Sequence, residues 1–174
     1  MKNIRTFQDK TPQIDPSVYI DETALVIGEV KIGKGSSIWP FVTIRGDVNF
    51  IEIGENTNIQ DGSVLHVSQA GGVHSEGAPL IIGNNITIGH KVILHGCEIQ
   101  DTCLIGMGAI ILDNVIIEPQ VFVGAGSIVP GGKRLESGYL YIGSPARRIR
   151  ELSTEEIDSL SESALHYNEL AQKY

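Results

Sequence analysis

Three histidines, His66, His90 and His95, are the residues of this 174-residue chain best suited to chemistry. A neutral imidazole binds a divalent ion at roughly 2.0–2.1 Å, and a single one serves as a general base near neutral pH. Which of these applies depends on whether the fold brings the three side chains together. Two further histidines, His74 and His166, show that the chain also places this residue elsewhere, so position must decide.

The elements that position them are set by a repeat of six. Stepping by six from Ile14 gives Ile20, Val26, Ile32, Ile38, Ile44 and Phe50. A slip of three then gives Ile53, Ile59 and Leu65. The repeat resumes at Ile82, Ile88 and Leu94, and a further slip carries Ile99, Ile105, Ile111, Ile117, Val123 and Val129. Glycine often follows, as at Gly33, Gly54, Gly83, Gly89, Gly106 and Gly124. No helix of period 3.6 holds such a repeat on one face, and a flat strand does not need the glycines. A parallel β-helix meets both demands: each hexapeptide makes one short strand and one corner, with the aliphatic side chain inside.

This pattern resembles the hexapeptide-repeat family over about residues 12–145. That likeness implies an all-β fold, a left-handed parallel β-helix of triangular section with three hexapeptides per coil. We assign residues 1–150 to it, with a loop ejected at 67–80 where the repeat has no phase. Residues 151–174 form a C-terminal α-helix. Ser153 and Glu156 make a capping box with a Leu152/Ile157 staple. An apolar stripe of Ile157, Leu160, Ala164, Tyr167, Ala171 and Tyr174 faces a prism wall, of this chain or a neighbour.

Repeat phase places Ile44, Leu65 and Leu94 on one wall and Ile59 and Ile88 on another. Arg45, His66 and His95 each follow an aliphatic of the first wall, so they stack as a ladder although the two histidines are 29 residues apart. That suits two imidazoles on one ion. His90 stands beside Asp61 near a different corner. A threefold assembly brings that corner of one subunit to the ladder of the next, so the phase points to an inter-subunit metal site in a homotrimer.

Composition narrows the field. The net charge is −8 with no basic cluster, which argues against nucleic acid. No stretch has the length of a membrane span and the N-terminus has no apolar signal region, so a soluble, cytoplasmic protein is expected. Cys97 and Cys103 read as small core or turn residues, not as a disulfide.

Four segments carry a closer resemblance: Ile44-Arg45-Gly46-Asp47, Asn58 through His66, Gly89 through Gly96, and Ile105-Gly106-Met107-Gly108. Together with Lys133 through Tyr139 and Gly143-Ser144-Pro145, they are similar to the γ-class carbonic anhydrases, in particular to a short bacterial branch. The resemblance implies that His66, His90 and His95 hold Zn2+ or Fe2+, with His90 from the neighbouring subunit. It gives Gln60 the orientation of the reacting water and makes Asn58 its polar partner. It assigns Arg45, Asp47 and Asp61 to an interfacial charged system, with a catalytic alternative for Arg45. Tyr167 becomes a helix residue reaching the site, although its phase suits plain packing equally. The implied reaction is reversible hydration of CO2 to bicarbonate by hydroxide generated at the metal.

The chain departs from the family's archetype in its acids. Val48 stands where the archetype has glutamate after Arg-Gly-Asp, and the loop from Gln69 to Pro79 offers only His74 and Glu76 as proton shuttles. Two other readings stay open. A hexapeptide acyltransferase using acyl-CoA shares the fold, the trimer and an ending like Gly143-Ser144-Pro145-Ala146, with one histidine as base. A metal-binding scaffold, for instance a thioester hydrolase without carbonic anhydrase activity, is the third. Fold alone does not choose among them.

Overall fold

The structure, a computed structural model, describes residues 3–71 and 76–174. Short parallel strands stack into three walls. One wall runs through Ser37–Ile38, Asn58–Ile59, Thr87–Ile88, Leu104–Ile105 and Phe122–Val123. The next runs through Thr43–Ile44, Val64–His66, Ile93–His95, Ile110–Ile111 and Ile128–Val129. The third runs through Ile51–Ile53, Leu80–Ile82, Glu98–Ile99, Ile116–Ile117 and Arg134–Leu135. This is the left-handed parallel β-helix expected from the hexapeptides.

The repeat aliphatics fill the prism. Ile44, Leu65, Leu94 and Ile111 are fully buried in one column, and Ile38, Ile59, Ile88 and Ile105 in another. Each such side chain contributes roughly 1.5–3 kcal/mol through burial. The wall pairing is the one read from phase: Ile44 opposes Leu65, Leu65 opposes Leu94, and Ile59 opposes Ile88.

Two details differ from the sequence reading. Phe50 is not in the core column. The long strand Thr43–Ile53 turns a corner with a register irregularity, its Gly46 opposite Gly28 but its Ile51 opposite Val30, so Ile51 takes the buried place. A counting rule of six cannot see such a bulge. The last strands also leave the parallel scheme, because Tyr139–Gly143 and Ala146–Glu151 pair antiparallel.

The C-terminal helix spans Thr154–Ala171 and packs on the wall that carries Asn58 and Thr87, burying Leu160 and Ala164. Ser163 and Thr87 share a hydroxyl hydrogen bond of 3.0 Å, and Asn168 donates to Asn56 at 2.7 Å. Tyr174 lies beyond the helix and not in its stripe, yet its ring meets Trp39 at 5.4 Å. The capping box is complete: the Ser153 hydroxyl accepts from the Glu156 backbone and the Glu156 carboxylate accepts from the Ser153 backbone. Ser153→Ala is therefore expected to weaken helix docking by about 1 kcal/mol. Trp39 is the sole tryptophan and contacts Tyr167 of the helix, so its fluorescence reports undocking directly. A denaturation curve unchanged from the parent would contradict this.

Candidate metal centre

His66 and His95 end neighbouring strands in register, as the parallel pairing of Val64–His66 with Ile93–His95 requires. Their rings meet edge to edge, with His66 Nδ1 at 3.1 Å from His95 Nε2. The other nitrogen of each ring faces a carboxylate. His66 Nε2 donates to Asp47 at 3.0 Å, and His95 Nδ1 donates to Asp113 at 2.6 Å. Arg45 donates from Nη1 to the second oxygen of Asp47. Burial alone would raise the Asp47 pKa, but the hydrogen bonds from His66 and Arg45 outweigh it and hold it below the ordinary carboxylate value.

His90 lies at another corner. The turn after Thr87–Ile88 sets His90 over Asp61 of the coil before, with Lys91 N–H bonded to the Asp61 carbonyl at 2.9 Å. Lys91 takes a left-handed backbone at φ 56°, under Gly62 at φ 70° in the same corner position. His90 Nδ1 donates to the Asp61 carboxylate at 3.0 Å, and the imidazole is 43% exposed. Asp61 is thus paired with His90, while the Arg45–Asp47 pair stands at the corner of His66.

Gln60 precedes Asp61 and is buried. Its Nε2 donates to Asn58 Oδ1 at 3.1 Å, and Asn58 in turn donates to Thr87 Oγ1 at 3.0 Å and to the Ile86 carbonyl at 3.2 Å. This amide column fixes which end of Gln60 is which, leaving Oε1 as its acceptor. Tyr167 stacks edge-on against Trp39 at 5.7 Å. Burial and then the charge of Asp61 push its phenol pKa upward. Glu76 is exposed, and His74 lies outside the described residues. Cys97 and Cys103 are buried and unbridged, and burial drives both thiol pKa values up, so neither offers a thiolate at neutral pH.

Among the described residues of one chain, no three His, Cys, Asp or Glu side chains converge on a common point. The chain gathers two imidazoles at one corner and holds the third at another.

The donor set fits a divalent cation. A carboxylate that takes the proton of one ring nitrogen leaves the other as a lone pair. Asp47 and Asp113 do this for His66 and His95, so two lone pairs face each other at 3.1 Å. They repel unless a cation or a proton lies between them, and one ion at roughly 2.0–2.1 Å from each spans that gap. Asp61 does the same for His90, leaving its Nε2 as a third lone pair.

Sequence reading missed Asp113 and Ser68. Asp113 stands 18 residues after His95, one position beyond the residue that the wall register sets opposite that histidine. The count that aligned the histidines lands on Leu112, because Leu94 pairs with Ile111, and so it passes Asp113 by. The Ser68 hydroxyl donates to the second Asp113 oxygen at 2.9 Å, a contact across 45 residues with no periodic signal.

Residues 96–131 match the family model described as bacterial transferase hexapeptide (six repeats). The chain is 51% identical over 171 residues to Protein YrdA of Escherichia coli, which covers 98% of this chain and 93% of that one. It is 47% identical over 169 residues to gamma carbonic anhydrase 1, mitochondrial, of Arabidopsis thaliana, covering 95% of this chain and 60% of the plant protein. A crystal structure of a hexapeptide transferase family protein from Anaplasma phagocytophilum superposes with a TM-score of 0.92 at 38% identity, over 100% of this chain and 99% of that one. With coils, corners and histidines in these places, the chain belongs to the hexapeptide-repeat family, in its γ-class carbonic-anhydrase-like branch.

Proposed function

We propose that this protein is a metal-dependent carbonic anhydrase that interconverts CO2 and bicarbonate at sites shared between subunits of a homotrimer. The observation that carries this reading is the carboxylate behind each imidazole: Asp47 on His66, Asp61 on His90 and Asp113 on His95. Three tautomers set in that way present three lone pairs, which is a ligand set and more than a single general base requires. His66 and His95 of one subunit would hold Zn2+ or Fe2+ together with His90 of the next. Imidazole suits both metals. A divalent ion so held supplies Lewis acidity, lowering the pKa of water toward about 7, the value characteristic of carbonic anhydrases.

The protein's own groups do the rest. Gln60 Oε1 accepts a hydrogen bond from the attacking water and aims its lone pair, with Asn58 fixing the amide. Arg45 and Asp47 hold His66 and add charge at the subunit boundary. Water adds across one C=O bond of CO2, and one proton must leave to solvent for each bicarbonate formed. Tyr167, packed edge-on against Trp39, would reach the site from the helix. Among the described residues no helix is long and apolar enough to cross a membrane.

The acyltransferase reading is favoured by the transferase description of the family model. One preparation separates the two. Protein purified without oxygen is analysed for zinc and iron, and the same sample is assayed for CO2 hydration and for acyl transfer from acetyl-CoA. We expect one ion per chain and CO2 hydration that vanishes on chelation and returns with the metal. Acyl transfer that survives complete chelation, without CO2 hydration, would install the alternative.

A further inference from the structure

We propose that Asp113, held by Ser68, is a positioning residue of the metal centre that fixes the tautomer and ring angle of His95. This rests on the metal reading above and names residues that the family resemblance did not supply. The 2.6 Å bond from His95 Nδ1 to Asp113 Oδ1 is the shortest of the three imidazole–carboxylate contacts. An imidazole N–H shared with a carboxylate at that distance cannot move its proton to the opposite nitrogen without losing a charge-assisted bond. The facing Nε2 therefore stays a lone pair, directed at His66 Nδ1.

Several local features serve this one contact. Gly96, directly after His95, takes a left-handed φ of 54°, and a Cβ there would run into the Asp113 carboxylate and Ala78. A side chain at that position would push Asp113 off the ring. On its far side, the second Asp113 oxygen accepts the Ser68 hydroxyl at 2.9 Å. Ser68 is itself clamped: its backbone pairs with Ala78 in both directions at 3.0 Å, and Asn49 donates to its carbonyl at 3.1 Å. A carboxylate with one oxygen on a fixed hydroxyl and the other on an imidazole has little freedom to turn. Its 18% exposure leaves water little room to replace either bond.

The full-length assembled protein is stripped of metal, and zinc affinity is measured by competition with a chromophoric chelator. Asp113→Ala should weaken zinc binding 10- to 100-fold, the usual cost of removing a group that orients a metal-bound histidine. Asp113→Glu should recover part of that loss. Ser68→Ala should cost less, about fivefold, because this hydroxyl acts on the metal only through the carboxylate it steadies, whose bond to His95 stays in place. Cobalt(II) replaces zinc in the same titration, and its visible bands should shift in Asp113→Ala because the His95 ring is no longer held. A merely structural role predicts the reverse pattern: a lower melting temperature of the metal-free protein with zinc affinity and cobalt spectrum unchanged. That result overturns the proposal. Should Asp113→Ala not assemble, Asp113→Asn and Ser68→Ala decide, since both keep the local volume; parental affinity in both also overturns it. Failure of the parent to bind zinc or cobalt removes the metal reading itself, and is told apart because it shows before any substitution is made.

Discussion

At free zinc buffered about tenfold above the parent's Kd, neither a His66→Ala trimer nor a His90→Ala trimer is expected to hold metal, yet the two chains assembled together should recover it in part. One ligand of a four-ligand zinc site is worth roughly 3–4 kcal/mol, a quarter of the 10–16 kcal/mol of such a site, so its loss weakens binding by about two to three orders of magnitude. Every site in either single-variant trimer lacks a ligand. The structure places His66 and His95 at one corner of the prism and His90 at another, within a single chain. A shared site therefore draws two ligands from one subunit and one from its neighbour. In trimers formed at random from equal amounts of both variants, about one quarter of the interfaces join an intact His66 to an intact His90. Metal content should rise from near zero to about that fraction. An assembly three times the 18.8 kDa chain mass is expected in sedimentation equilibrium. Mixed samples no better than the unmixed variants, or a metal-loaded monomer, would sink the shared site.

What made this prediction available before any coordinates was the arithmetic of six. Burial of one aliphatic per hexapeptide fixes both wall and depth, so the alignment of His66 with His95 followed from Leu65 and Leu94 alone. Asp61 under His90 followed from Ile59 and Ile88 in the same way. Period-based reading failed where the backbone broke period. The bulge between Gly46 and Ile51 moved Phe50 out of the core, and Gly28, with φ 80° and no room for a Cβ against Gly46, is the local sign of it. The antiparallel turn at Ser144-Pro145 ended the solenoid with a hairpin that no hexapeptide count describes.

The placement of the histidines was legible in the sequence, and the carboxylates that face them were less so. Asp47 and Asp61 sit in motifs next to functional residues, and reading those motifs gave them a place in an interface. Their contact with His66 and His90 depends on side-chain direction at two corners, which phase does not specify. Asp113 lies in an ordinary-looking turn, Leu112-Asp113-Asn114, and counting one coil from His95 lands on Leu112, so nothing in the repeat marks it. The amide column of Gln60, Asn58 and Thr87 needed two stacked rungs and the Ser163 hydroxyl of the helix to be seen together.

Gln60→Ala should lower kcat/KM for CO2 by about 10- to 100-fold at every buffer concentration, the cost of one hydrogen bond to a group carrying charge in the transition state. Gln60 is 4% exposed and has its Nε2 committed to Asn58, so its Oε1 is presented in one orientation without any cost at the moment of reaction. Alanine removes that acceptor from the CO2-to-bicarbonate step, which kcat/KM reports. Proton export is a separate matter and enters kcat. Among the described residues of the loop Glu76 is the only acid. Export should therefore limit turnover in weak buffer, with kcat rising as imidazole is added because the buffer carries the proton itself. Glu76→Ala and His74→Ala should lower kcat only where buffer is scarce and leave kcat/KM alone. A Gln60→Ala defect that disappears in concentrated imidazole would assign Gln60 to proton export and not to the attacking water. A fully metallated trimer inactive even at saturating imidazole would end the carbonic anhydrase reading for this chain and leave the acyl-transfer and thioester chemistries to be tested on the same site.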